Sequence, residues 1–148
     1  MKKLLFYLLA PASYDTIEYI LMFMRIGIGI LTIGHGVPKI MGGIQHWREL
    51  GTTFMFPLGI HFLPVTWGFL GAATEFFGGI ALVLGLATRI ASFCLIIMML
   101  IAFLWHFKKG DSFNLYSFPL TLIVIYLGYL IIGSGKFSLD YYLFKQQF

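Results

Sequence analysis

Apolar positions in this chain come in long blocks, interrupted by only a few polar residues, rather than in the alternating or 3.6-residue patterns of half-buried elements. Four blocks stand out: Ile17 to Val37, Trp67 to Ala87, Ile90 to Phe107 and Leu115 to Ile132. About 20 apolar residues are needed to cross roughly 30 Å of hydrocarbon at about 1.5 Å per helical residue. The pattern therefore predicts an all-α membrane protein, a bundle of four transmembrane helices. Turn chemistry agrees with the block boundaries. Gly85 to Ile90 joins the second and third spans as a tight antiparallel hairpin, and Gly110, Asp111 and Ser112 separate the third from the fourth. Pro119 is expected in the first turn of the fourth helix, and Gly133, Ser134 and Gly135 end it.

The connection Met41 to Thr66 is too apolar for a solvated loop. Trp47, Phe54, Phe56 and Phe62, together with His46, Arg48 and His61, fit an interfacial loop or short helix that caps one end of the bundle. Residues 1 to 12, MKKLLFYLLAPA, imitate a secretory signal, but the apolar run Leu4 to Leu9 is short for one. An interfacial segment without cleavage is expected there, followed by Asp15 and Thr16 as caps of the first span. The tail from Ser138 to Phe148 is rich in Tyr and Phe and is expected to lie on the membrane.

Composition supports this reading. The 148 residues are 59% hydrophobic and 11% charged, against about 25% charged in soluble domains, and they fit a single domain, 1–148. A net charge of +4 comes from scattered Lys and Arg without a basic, aromatic-studded stripe, so anionic lipid is the expected partner and nucleic acid is not. Lys2, Lys3, Arg89, Lys136 and Lys145 fall on the side of the termini, and Lys39, Arg48, Lys108 and Lys109 opposite. This places both termini in the cytoplasm by the positive-inside rule. The single cysteine, Cys94, allows neither an internal disulfide nor a thiol couple.

Charged residues inside spans are costly and therefore informative. Arg25, Gly29, Thr32, Gly36 and Lys39 share one face of the first helix, and Gly71, Glu75 and Gly79 one face of the second. Measured from the terminus side, Arg25 lies about 12 Å and Glu75 about 18 Å along their helices, so the two are expected to turn inward and pair. This pair serves either as a structural lock or as a proton-handling group. His35 and His106 end spans that run in the same direction and so share a depth. With Lys39 and Trp105 they are candidates for a pocket that hydrogen-bonds a quinone carbonyl. Haem is not expected without a C-x-x-C-H attachment site or a second matched histidine pair. No metal site is expected either, for want of H-x-x-E-H, paired Cys or a carboxylate cluster. Met98 and Met99 read as gap fillers.

Three longer stretches, RIGIGILTIGHGVPKI (Arg25 to Ile40), EFFGGIALVLGLATRI (Glu75 to Ile90) and GSGKFSLD (Gly133 to Asp140), together with His106, resemble the DoxX family of small four-helix membrane proteins over roughly residues 20 to 140. In the closing motif, Ser134 and Lys136 stand where the family often has proline and arginine. The resemblance implies an inner-membrane, multi-pass subunit of a quinone-linked oxidoreductase complex, similar to the membrane subunit of thiosulfate:quinone oxidoreductase, that docks a cofactor-bearing partner. It singles out Arg25, His35, Lys39, Glu75, Arg89 and His106 as the matching polar positions. The alternative is a non-enzymatic assembly or structural subunit, because Gly27, Gly29, Gly34, Gly36, Gly78 and Gly79 exceed what four short helices need for their own packing. A transporter would call for broken helices in matched halves, which the chain lacks.

Overall fold

The computed structural model describes residues 13–145; the expected interfacial segment 1–12 lies outside them. Helix α1 spans Tyr14–Met41, α2 Gly43–Met55, α3 Pro64–Leu84, α4 Thr88–Lys109, α5 Phe113–Ile132 and α6 Leu139–Phe144, with a 3-10 turn at Phe56–Leu58. Four of these, α1, α3, α4 and α5, are long and apolar enough to cross a membrane. Their outer surface carries exposed Phe23, Phe77, Val124 and Ile131, a greasy exterior that only lipid solvates without penalty. The protein is a multi-pass membrane protein.

Helix α1 starts earlier than the apolar block because Ser13, not Asp15 or Thr16, is its cap: the Ser13 hydroxyl accepts from the Thr16 amide at 3.3 Å. Helix α3 closes at Gly85, whose φ of 66° lets its amide reach the carbonyls of Ala81 and Leu82. Pro119 is displaced from the expected position. It sits well inside α5, where it cannot donate to the Leu115 carbonyl. The helix continues through it because a broken helix in hydrocarbon would leave several more backbone groups unpaired.

Going around the bundle, α1 lies against α3, α3 against α4 and α4 against α5, while α1 and α5 approach each other only sparsely. The core consists of Leu82, Leu95, Ile96, Met98, Met99, Leu122, Ile123 and Tyr126, closed at one end by Phe54 and Met55 of α2. Helix α2 is amphipathic, with Gly51, Phe54 and Met55 buried and Gln45, Arg48, Glu49 and Thr52 exposed. It forms the cap expected between the first two spans.

Gly29, Gly36, Gly51, Gly68 and Gly79 let backbones of neighbouring helices touch. A Cβ on Gly29 would meet Val83 and the Gly79 carbonyl, and one on Gly36 would meet the Phe76 backbone. Gly78 faces Leu95, so Gly29, Gly36, Gly78 and Gly79 are all used inside the bundle, whereas Gly27 and Gly34 have nothing within 4 Å. The tightest crossing is α2 on α3, where a Cβ on Gly51 would land on the Pro64 carbonyl and one on Gly68 on that of Trp47. Gly68→Ala is therefore expected to cost about 3 kcal/mol, read as a lowered unfolding midpoint in detergent. Gly27→Ala is expected to be neutral or to stabilise by about 0.5–1 kcal/mol.

Candidate functional site

Along the inward face of α1 every seventh residue is polar: Glu18, Arg25, Thr32 and Lys39. A seven-residue step is two helical turns, so these side chains form a ladder down one side of the bundle. Glu18, Arg25 and Thr32 are buried and Lys39 is half-buried. Each rung has its own partner.

At the end near the termini the partners come from the chain's tail. Glu18 accepts from the Lys136 amide at 2.6 Å, and Arg25 donates to the carbonyls of Ser134 at 2.8 Å and Phe137 at 2.7 Å. Asp140 then accepts from the amides of Ala87 at 2.6 Å and Thr88 at 3.0 Å, capping α4 with a carboxylate where the helix dipole favours one. Gly85 has no side chain where the Arg25 guanidinium passes. The GSGKFSLD motif is thus a clasp that ties the tail to α1 and to the α3–α4 turn.

The expected Arg25–Glu75 pair does not form. The apolar blocks align Ile17 with Ala87, but α1 begins at Tyr14 and runs past the α3–α4 turn. Arg25 is level with Gly85, whereas Glu75 lies opposite Gly36, about 16 Å further along α1. Glu75 instead bonds Lys39, Nζ to Oε2 at 2.5 Å, with the carboxylate almost fully buried. The Lys39 carbonyl in turn accepts from the Trp47 indole at 2.9 Å, which anchors the α2 cap to the end of α1.

The middle rung is the Thr32 hydroxyl, 2.7 Å from the Tyr126 hydroxyl of α5. Between this contact and the α2 cap, α1 and α5 part to leave a cavity of about 310 Å³. His35, Lys39, Trp105 and His106, the expected ligand residues, all line it, and so do Thr32, Glu75 and Tyr126. Apart from Thr53 the remaining walls are apolar, including Phe54, Met99, Phe118, Pro119 and Leu122. Leu31, Leu115 and Phe118 are both lining and exposed, so the cavity opens sideways between α1 and α5 into the hydrocarbon. His106 is oriented from behind by Asp111, Nδ1 to Oδ2 at 2.8 Å, and the Lys108 ammonium donates to the Pro57 carbonyl of the cap. Arg89 lies at the other end of the bundle, donating to the Ile131 carbonyl at 3.1 Å.

Sequence reasoning missed Tyr126, Asp111 and Asp140 as site-forming groups. For Tyr126 a signal existed: a phenol in the middle of an otherwise apolar span needs a hydrogen-bond partner when buried. Asp111 read only as a turn residue. Among the described residues no group of three or more His, Cys, Asp or Glu could hold a metal ion. The arrangement suits an amphipathic organic ligand: apolar walls can enclose its body, and an ion pair, two imidazoles and the hydroxyls of Thr32, Thr53 and Tyr126 are placed to meet its polar atoms.

No curated protein and no solved structure matches the chain. The DoxX family model does, over residues 20–108, from early in α1 through His106 and nearly all of α4. The chain belongs to the DoxX family.

Proposed function

We propose that the cavity between α1 and α5 binds the headgroup of a membrane quinone, and that the protein is the inner-membrane subunit of a quinone-linked oxidoreductase complex with both termini in the cytoplasm. The observation that carries this reading is a laterally open apolar cavity whose polar groups are gathered at its walls: Lys39 and Glu75 at 2.5 Å, His106 held by Asp111, and His35 near Phe118. A cavity of about 310 Å³ falls at the lower end of the range for small-ligand sites, roughly 300–1,000 Å³. That is room for a ring, with an isoprenoid tail leaving through the α1–α5 opening.

A quinone takes up two electrons and two protons on reduction. His106, with one ring nitrogen fixed by Asp111, can present the other to a carbonyl oxygen. The electrons must come from a partner, since Cys94 is the only cysteine and lies exposed on the outer face. Gly27 and Gly34, open on α1, are where a partner's transmembrane helix can approach closely.

The test is gentle extraction followed by analysis of co-purifying lipids, with added quinone titrated by quenching of the cavity tryptophan. Wild-type protein is expected to retain quinone and His106→Leu to bind it at least about tenfold more weakly. Absence of quinone from the preparation together with no response to added quinone would overturn the proposal. A stable complex with partner helices but no quinone would favour the assembly role.

A further inference from the structure

A second hollow, of about 800 Å³, lies at the opposite end of the bundle from the quinone cavity. It is bounded by Arg89 at the start of α4, Ile132 at the end of α5, the loop 133–135, and Tyr141, Phe144 and Lys145 from the tail. Two spans end there, so its depth is that of the lipid headgroups.

Charge accounting shows what is missing from it. The chain has six acidic side chains. Glu75 pairs with Lys39, Asp111 with His106 and Lys109, and Asp15 with Lys136. Glu18 receives the Lys136 amide, and Glu49 lies on the α2 cap at the other end. Asp140 does line the hollow, but its two oxygens each receive a backbone amide. Among the described residues no carboxylate stands within ion-pair distance of Arg89 or Lys145, and residues 1–12 and 146–148 contain no Asp or Glu. Arg89 uses one donor on the Ile131 carbonyl, leaving the rest of a five-donor fork matched to phosphate geometry. Lys145 makes a cation–π approach to Tyr141 at 6.0 Å. Among the described residues, then, no anion of the chain is paired with either of these two cations.

We propose that this hollow is a binding site for an anionic phospholipid, with its phosphodiester between Arg89 and Lys145 and its acyl chains against Ile132 and the outer flank of α5. A zwitterionic lipid brings its own cation into a lining that already holds two, so a net-negative headgroup is preferred. This site is independent of the quinone cavity and stands whether or not that cavity binds quinone.

The experiment is native mass spectrometry of the full chain in neutral detergent, titrated with phosphatidylglycerol or phosphatidylcholine. Wild-type protein is expected to hold one phosphatidylglycerol about tenfold more tightly than phosphatidylcholine. Lys145→Gln and Arg89→Gln are each expected to reduce that preference severalfold, and Arg48→Gln on the α2 cap is expected to leave it unchanged. Among the described residues Lys145 makes only the ring contact, so its variant reports binding even if Arg89→Gln proves unstable. Equal affinity for the two lipids in wild type, or undiminished phosphatidylglycerol binding by Lys145→Gln, would overturn the site. Displacement of the lipid by millimolar inorganic phosphate would also overturn it, by assigning the cations to a soluble phosphate.

Discussion

Glu75→Gln is expected to destabilise the protein by about 3 kcal/mol, and Glu75→Gln combined with Lys39→Met to recover most of that loss. The single change leaves the Lys39 ammonium facing an apolar cavity wall without its carboxylate, and breaking a buried pair from one side typically costs about 3–5 kcal/mol. Lys39 retains some exposure, which places the expectation at the lower end. Removing both charges leaves no orphan, so the double variant should approach wild-type stability. Unfolding midpoints of the two singles and the double form a cycle that measures the coupling. Its second readout is quinone titration. A pair that only locks α1 to α3 predicts a stable double variant with unchanged quinone affinity, whereas a pair that meets the ligand predicts a stable double variant with weakened binding.

The second large effect belongs to Arg25. Arg25→Met removes two charge-assisted bonds and leaves the carbonyls of Ser134 and Phe137 without their donor. At about 1.5–3 kcal/mol for each bond to a charged group, the expected cost is about 3–5 kcal/mol. Arg25→Lys should recover little of it, because one ammonium cannot reproduce a planar fork reaching two carbonyls at once. The loss should be local before it is global. Trypsin cleavage after Lys136 is expected to accelerate well ahead of any change in helix content, because the tail loses its clasp while α3, α4 and α5 keep their core. Cleavage at the wild-type rate would show that Asp140 and Glu18 hold the tail without Arg25.

What could be read from the sequence, and what could not, divides along physical lines. The four spans were legible because an apolar run of that length has few uses outside a bilayer, and the α2 cap because an apolar connection has to lie against something. The inward direction of Arg25 and Glu75 followed from the cost of facing lipid. Their partners did not follow, since the α1–α3 register depends on where Gly29 meets Gly79 and Gly36 meets Phe76, and on a tail whose fold no local pattern encodes. Lys39 is legible as a cavity candidate, yet its bond to Glu75 depends on that same register. The meeting of His35 and His106 at one cavity could be anticipated because helices of equal parity run the same way. Tyr126 could not be placed, because its partner Thr32 lies in a helix 94 residues away. Pro119 was misplaced by a rule drawn from water, where a broken helix can hydrogen-bond to solvent.

The thin contact between α1 and α5 also has a mechanical consequence. Three of the four neighbouring pairs around the bundle pack closely, while the fourth is joined by the Thr32–Tyr126 hydroxyls, a 3.4 Å bond from Tyr129 to the Leu21 carbonyl, the His35–Phe118 ring contact and the tail. The protein is in effect a slit cylinder, with its compliance concentrated along one line. Lateral pressure or a change in bilayer thickness is expected to be expressed first as a change in the width of that slit, and so in how open the cavity behind it stands to the hydrocarbon.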